Sequence, residues 1–283
     1  MNYKLPRYLR PASLHNSATE QDRHLVSTFA ENGYVVIDCI SDELIAIADR
    51  TIASVEPLYG ASIRTQDAWK TVESVKGLAL YPPVLRILSL LYGRKPFAFQ
   101  TLNFPVGTQQ LTHSDIIHFS SSPPDFMAGV WFALEDVDAG NGPLHYYPGT
   151  HRLPHLTLSD LNVSGSGPDA DRVYAEHYEP AIQRLVDERG LVRREGHLKK
   201  GQAIIWAANL LHGGSPILDQ NRTRHSQVTH YFFERCRYWT PLLSGPDCRF
   251  ARYPLDISTG LHVTRFGRVN GDEGRLRRSL FPW

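Results

Sequence analysis

The 283-residue chain is short of cysteine, of charge imbalance and of long apolar runs. Its three cysteines, Cys39, Cys236 and Cys248, are an odd number at no metal-ligand spacing. That excludes a disulfide framework and a cysteine-built zinc site, and it fits free thiols in a reducing compartment. Thirty Lys and Arg stand against 29 Asp and Glu, a formal charge of +1, so there is no electrostatic footprint for nucleic acid. No apolar run approaches the roughly 20 residues that cross a bilayer. The N-terminal stretch lacks the apolar centre of a signal peptide. The expectation is a soluble, cytoplasmic chain with a small-molecule partner, no nucleic acid and no membrane; its oligomeric state is not readable.

Hydrophobic residues make up 42%, enough to bury a substantial core, and residues 1–283 read as one domain. From Arg249 the chain is locally basic, with Arg249, Arg252, Arg265, Arg268, Arg275, Arg277 and Arg278 against Asp256, Asp272 and Glu273. The expectation for 241–283 is a solvated extension, with an anion-binding role in substrate selectivity as the alternative.

Residues 1–95 predict a mainly helical N-terminal support. Ser17-Ala18-Thr19-Glu20 has the form of a capping box ahead of a helix carrying Leu25 and Phe29 and ending near Gly33. Tyr34 to Ile37 reads as a strand. Ser41-Asp42-Glu43 opens a second helix through about Val55, and Pro82-Pro83 precedes a third on Val84, Leu85, Ile87, Leu88 and Leu91. Residues 96–240 change character. Short aromatic or β-branched runs at Phe97–Phe104, Met127–Glu135, Leu144–Tyr147, Ala203–Trp206 and Arg224–Phe233 alternate with Gly, Pro and Asn. They predict a mainly β sandwich or barrel, interrupted by a helical insertion near 160–195 and a Ser/Gly/Pro loop at 164–168.

His113-Ser114-Asp115 is the first chemical signal. On an extended segment residues i and i+2 point the same way, so one imidazole and one carboxylate can face one metal. Two neutral imidazoles and a carboxylate on one face of an ion, with the other face open, form the donor set of non-haem iron oxidation. The triplet alone is weak. With 13 His and 29 acids, about one His-X-acid match per chain arises by chance, and a second exists at His177-Tyr178-Glu179. That one opens the helical insertion directly before Pro180 and reads as surface structure. Context favours the first. A strand, Ala128 to Leu134, follows it, then Asn141-Gly142-Pro143-Leu144 and Pro148-Gly149-Thr150-His151. The apolar run ending in Trp206 leads to His212-Gly213-Gly214, where glycines relieve crowding near a metal.

With those segments in that order, the stretch from about Phe97 to Glu234 resembles the phytanoyl-CoA dioxygenase family of iron(II)/2-oxoglutarate oxygenases. The helical N-terminus is similar more weakly. The resemblance implies a jelly-roll, cupin-like double-stranded β-helix with flanking helices, and an Fe(II) site of His113, Asp115 and His212. It also implies 2-oxoglutarate and O2 as co-substrates and ascorbate as an aid to activity. The expected reaction is hydroxylation of a small organic molecule with release of succinate and CO2. Asp115 favours hydroxylation, because halogenating relatives replace this carboxylate. A same-fold metal-binding isomerase or a non-catalytic binding module is the alternative.

A buried carboxylate of 2-oxoglutarate needs an Arg, whose planar fork binds it bidentately. Related oxygenases place that Arg 10 to 12 residues past the distal His, which implies Arg224, with Ser226 as hydroxyl donor and Arg222 as the fallback. Trp131 matches a family tryptophan that lines the co-substrate pocket. Gln100 and Asn103, on the strand leading to the metal loop, are candidate donors to the oxo acid; alternation along a strand keeps them from both facing inward. His118 and Phe119 are candidates for the substrate. His151 reads as structural and His230 as too far along its strand for the same metal. His145, His155, His197, His225 and His262 carry no readable signal.

Overall fold

A computed structural model describes residues 6–10, 18–60, 62–163, 169–245 and 249–269. Ser17, Cys248, the 164–168 stretch and Arg275, Arg277 and Arg278 lie outside them.

Helix α1 (Glu20–Asn32) starts two residues later than the Ser17 pattern implied. Its N-cap is Thr19, whose hydroxyl accepts the Asp22 N–H at 3.0 Å while the Asp22 carboxylate accepts the Thr19 N–H at 3.3 Å. The box closes on Asp22 rather than Glu20. Gly33, at φ +79°, ends the helix in the left-handed conformation that favours glycine. It also faces the His151 ring, where a Cβ would collide. Helix α2 (Asp42–Val55) is capped by Ser41 as expected. Helix α3 (Glu73–Ala79) was not foreseen, and α4 (Pro82–Tyr92) begins with its prolines. Together Glu73–Tyr92 form a segment long and apolar enough by composition to cross a membrane, contrary to the expectation of no such run. The fold breaks it at Leu80-Tyr81 and packs Val75, Leu78, Leu88 and Leu91 inward. Helices α5 (Ala170–Val173) and α6 (Glu179–Glu188) form the insertion, joined by one wide turn at Tyr174–Tyr178.

The strands are β1 (Tyr34–Asp38), β2 (Thr65–Gln66), β3 (Pro96–Phe104), β4 (Ser120–Ser122), β5 (Met127–Ala133), β6 (Leu144–Tyr146), β7 (Arg194–Gly196) and β8 (Gln202–Ala207). They continue with β9 (His212–Gly214), β10 (Ser226–Phe233), β11 (Arg237–Trp239), β12 (Ala251–Arg252), β13 (Leu255–Asp256), β14 (Leu261–Thr264) and β15 (Gly267–Val269). A six-stranded antiparallel sheet runs β1-β8-β5-β10-β3-β2, and a smaller one runs β7-β6-β9. Trp131, Ile204 and Trp206 of the large sheet share a core cluster with Leu144 and Tyr146 of the small sheet. This is the expected mainly β jelly roll with flanking helices.

The large sheet is buried on both faces, which explains why all seven residues of β5 are buried. Ala128, Val130 and Phe132 pack with Val26, Phe29, Leu44 and Leu88 of the helices. The alternate residues Gly129, Trp131 and Ala133 face the barrel interior. Two expectations change. The N-terminal region is more than a support, because its β1 and β2 form both edges of the large sheet. The described part of the C-terminal extension is not a solvated tail. Asp256 is fully buried against Arg268, which also pairs with Glu234, and the Ile257 N–H donates to the Ala98 carbonyl of β3.

Candidate metal centre

His113 and His212 sit opposite each other and exchange both backbone hydrogen bonds, at 2.9 and 3.0 Å. Each ring presents Nδ1 to a carbonyl two residues back, Leu111 O and Leu210 O, both at 2.9 Å. A carbonyl only accepts, so each Nδ1 carries the hydrogen and each Nε2 keeps its lone pair. Both Nε2 atoms lie 3.8 Å from Asp115 Oδ1. Asp115 opens a one-turn helix whose cap, Ser114, accepts the Ile116 N–H. Its other oxygen, Oδ2, accepts the Trp206 indole N–H at 2.8 Å. Trp206 reaches it by lying across β5 at Gly129, where any Cβ would overlap the indole.

The electrostatics agree with this geometry. Burial, reinforced by His212, pulls the His113 imidazole down to about 3, so it is neutral and ready to donate. Burial alone would raise the Asp115 carboxyl, but the three surrounding histidines and the Trp206 N–H hold it below its ordinary value. His113, Asp115 and His212 are all buried, and their donor atoms lie within 4.8 Å of one another. Among the described residues no other such group of His, Cys, Asp and Glu occurs. Two imidazoles, one carboxylate and no thiolate suit iron(II), and the open side faces a cavity of about 250 Å³. Gly213 and Gly214 do more than avoid crowding at the metal, because a Cβ on either would strike the Gln109–Gln110 backbone.

Arg224 lines the same cavity. Its N–H donates to Pro105 O at 2.8 Å and a terminal nitrogen to Val106 O at 3.3 Å, while the guanidinium lies 5.1 Å from the Trp131 ring centroid. Among the described residues no carboxylate pairs with it, and its Nε has no hydrogen-bond partner. Burial lowers it to about 10, so it stays cationic at neutral pH. Two residues on, the buried Ser226 hydroxyl also lacks a partner, although Ser226 does not line the cavity. A buried cation and an orphaned hydroxyl fit the distal carboxylate of a 2-oxo acid. Arg222 is set aside, since it forms a surface pair with Asp138 at 2.7 Å.

Gln100, His118, Phe119 and Trp131 also line the cavity as expected. Asn103 does not. It is fully buried on the opposite face of β3, donating to Gln227 Oε1 at 3.2 Å, as a three-residue offset from Gln100 dictates. His177 is exposed, but Tyr178 beside it is completely buried, so the rival triplet is only partly surface structure. His151 is structural, bonding Ala30 O at 3.2 Å.

His230 shares the Arg224 face and lies outside the group of three donors, as expected, but it sits nearer to them than its chain position implied. Its Nε2 is 4.0 Å from Asp115 Oδ2 and its Nδ1 meets Gln100 Oε1 at 2.9 Å. The chain distance from Arg224 misled, because the cavity runs along β10 and the metal donors approach from the other sheet. Arg64 and Trp206 were missed, and Arg252 was placed only in a basic stretch read first as solvated, although all three line the cavity. Strand alternation from Arg224 through Val228 puts His230 on the cavity face; no local signal marks Arg64 or Arg252.

The sequence profile of the phytanoyl-CoA dioxygenase (PhyH) family matches residues 88–226. Over that stretch, just under half of its length, the chain is similar to this family. The PhyH-like chain is 26% identical over 187 residues to "Phytanoyl-CoA dioxygenase, peroxisomal" of Rattus norvegicus, covering 62% of this chain and 50% of the rat protein. It is 26% identical over 228 residues to "Probable phytanoyl-CoA dioxygenase" of Caenorhabditis elegans, covering 70% and 68%. The match thus spans only half of the rat relative's length. Among solved structures, EctD from S. alaskensis with 2-oxoglutarate and 5-hydroxyectoine superposes with a TM-score of 0.61 at 18% identity, over 85% of this chain and 87% of that one. The epimerase SnoN with Fe3+, alpha ketoglutarate and nogalamycin RO gives 0.59 at 20%, over 77% and 86%. The carbocyclase SnoK from nogalamycin biosynthesis gives 0.61 at 18%, over 81% and 88%. At these identities the likeness is one of fold, that of iron/2-oxoglutarate oxygenases.

Proposed function

We propose that this chain is a non-haem Fe(II)/2-oxoglutarate-dependent dioxygenase that hydroxylates an unactivated C–H bond of a small organic molecule. The observation that carries the reading is the pairing of two features in one cavity. One is the convergence of His113 Nε2, His212 Nε2 and Asp115 Oδ1. The other is a buried Arg224 with no carboxylate partner among the described residues. Bound iron(II), with 2-oxoglutarate and O2, supplies the oxidation: the C–H carbon gains a hydroxyl while 2-oxoglutarate becomes succinate and CO2.

The chain's own residues position and protect. Leu111 O and Leu210 O fix the two imidazole tautomers, and Trp206 fixes the carboxylate, so the donor set is in place before any ligand arrives. Arg224 and Ser226 hold the distal carboxylate of the co-substrate and Trp131 supports the guanidinium. Trp131, Phe119 and Leu144 in the wall limit water around the reacting carbon. The working compartment in this proposal is the cytoplasm, where the buried thiols of Cys39 and Cys236 stay reduced; nucleic acid is not a partner.

The test is succinate formation from 2-oxoglutarate with Fe(II), ascorbate and air, for the wild type and Asp115→Ala. We expect wild-type turnover and a loss in the variant exceeding the roughly 10- to 100-fold typical of residues that only support metal ligands. Absence of wild-type turnover across a broad panel of small molecules would favour the binding-module reading. Because an epimerase and a carbocyclase share this fold, product analysis separates a hydroxylated product from an isomerised or cyclised one.

A further inference from the structure

Arg224, two residues before β10, and His230 within it are about 20 Å apart at roughly 3.3 Å per residue. The His230 end has its own cation. The Arg252 guanidinium lies 4.8 Å from the Phe119 ring centroid, and the Phe119 ring lies 4.9 Å from that of His230. Arg252 Nε donates to Thr240 Oγ1 at 3.3 Å, which fixes the direction of the fork. Arg64, just before β2, also lines the cavity. Burial lowers the pKa of His118, Asp115 opposes that shift, and the charges of Arg252 and Arg64 add to it, so both guanidinium groups act on one ring. Three arginines therefore line the cavity, while Asp115 is the one acidic residue in its wall among the described residues. Asp115 is already engaged by Trp206 and the imidazoles.

We propose that the substrate carries a carboxylate, received by Arg252 at the end of the cavity remote from Arg224, with the charge of Arg64 adding to the attraction from the cavity wall. This inference rests on the oxygenase reading, which assigns Arg224 to 2-oxoglutarate and leaves the Phe119 end for the substrate. The planar fork of Arg252 suits the two oxygens of a carboxylate. Phe119 offers an apolar surface for the carbon chain between that head and the metal donors. A cavity of about 250 Å³, shared with 2-oxoglutarate, admits only a small reacting portion.

The test uses hexanoate, hexanamide and hexyl phosphate as probes, titrated calorimetrically without O2, both with and without Fe(II) and 2-oxoglutarate. Hexanoate is expected to bind about tenfold more tightly than hexanamide, the scale of one charge-assisted hydrogen-bonded contact. Arg252→Met should erase that preference and leave 2-oxoglutarate affinity within about twofold. Arg252→Lys should retain part of it, and the exposed Arg64→Met, which carries little risk to folding, should reduce it about two- to threefold. Equal binding of hexanoate and hexanamide, or an unchanged preference in both Met variants, would overturn the proposal. So would tighter binding of hexyl phosphate, or a loss of 2-oxoglutarate affinity in Arg252→Met. Failure of wild-type protein to bind 2-oxoglutarate would count against the oxygenase reading instead, and the titration without co-substrate would still report on Arg252.

Discussion

The two ends of the cavity are built from different materials. At the metal end every donor has a second partner: Leu111 and Leu210 carbonyls for the imidazoles, the Trp206 indole for Asp115. Those partners sit on or beside the paired strands of the two sheets, and the donors are buried. Around the donors, His118, Thr240 and Arg252 come from a short turn and from the segment after β11, and the exposed Arg64 comes from a loop. Chemistry that must hold several atoms in register is carried by the sheets. Recognition, which can differ among proteins with one chemistry, is carried by segments attached to them.

Substitutions can break this contrast. The largest effect is expected at the co-substrate end from Arg224→Met. Truncating one partner of a buried charge pair costs about 2–5 kcal/mol, so the KM for 2-oxoglutarate should rise roughly 30-fold or more. An unchanged KM would show that another cation holds the co-substrate. Next comes Trp206→Phe, which keeps the ring and deletes the N–H to Asp115. Fe(II) affinity measured by competition with a chelator should fall about 10- to 100-fold with little change in thermal stability. Full retention of affinity would mean that Asp115 is oriented by packing alone.

The supporting shell predicts a pH effect. Burial, partly opposed by the Ala30 carbonyl, pulls His151 down to about 4 in the folded chain, below its ordinary value near 6.5. Between those values the unfolded chain binds a proton that the folded chain refuses. Stability therefore falls as pH drops from about 6.5 toward 4, by up to about 3 kcal/mol from this residue. His151→Gln should flatten the slope of Tm against pH in that window; an identical slope would remove His151 as its source. The smallest kinetic effect is expected from Asn103→Ala on the opposite face of β3. The KM for 2-oxoglutarate should stay within about twofold, while unpairing Gln227 costs about 1–3 kcal/mol of stability. A marked rise in KM would restore Asn103 to the site.

The legibility of the sequence follows the same division. Five of the six strands of the large sheet, the helix starts at Ser41 and Pro82, and the donors His113, Asp115 and His212 were readable because local patterns encode them. Arg224 was readable through its distance from His212. The nearness of His230 to Asp115 was not, since it depends on how two sheets close on each other. Arg252 was not, since its basic neighbourhood has the composition of a solvated tail until Asp256 and Ile257 tie that segment to the core. Asn103 was offered together with Gln100, and only the observed register shows which of the two faces the cavity.

The central claim is that His113, Asp115 and His212 hold one metal ion. Fe(II) stoichiometry by anaerobic equilibrium dialysis tests it most directly, on the wild type and on a His113→Ala/His212→Ala double variant whose folding is checked by circular dichroism. One tightly bound Fe(II) per wild-type chain and none in the folded double variant is the predicted result. Retention of that ion by the double variant would contradict the account.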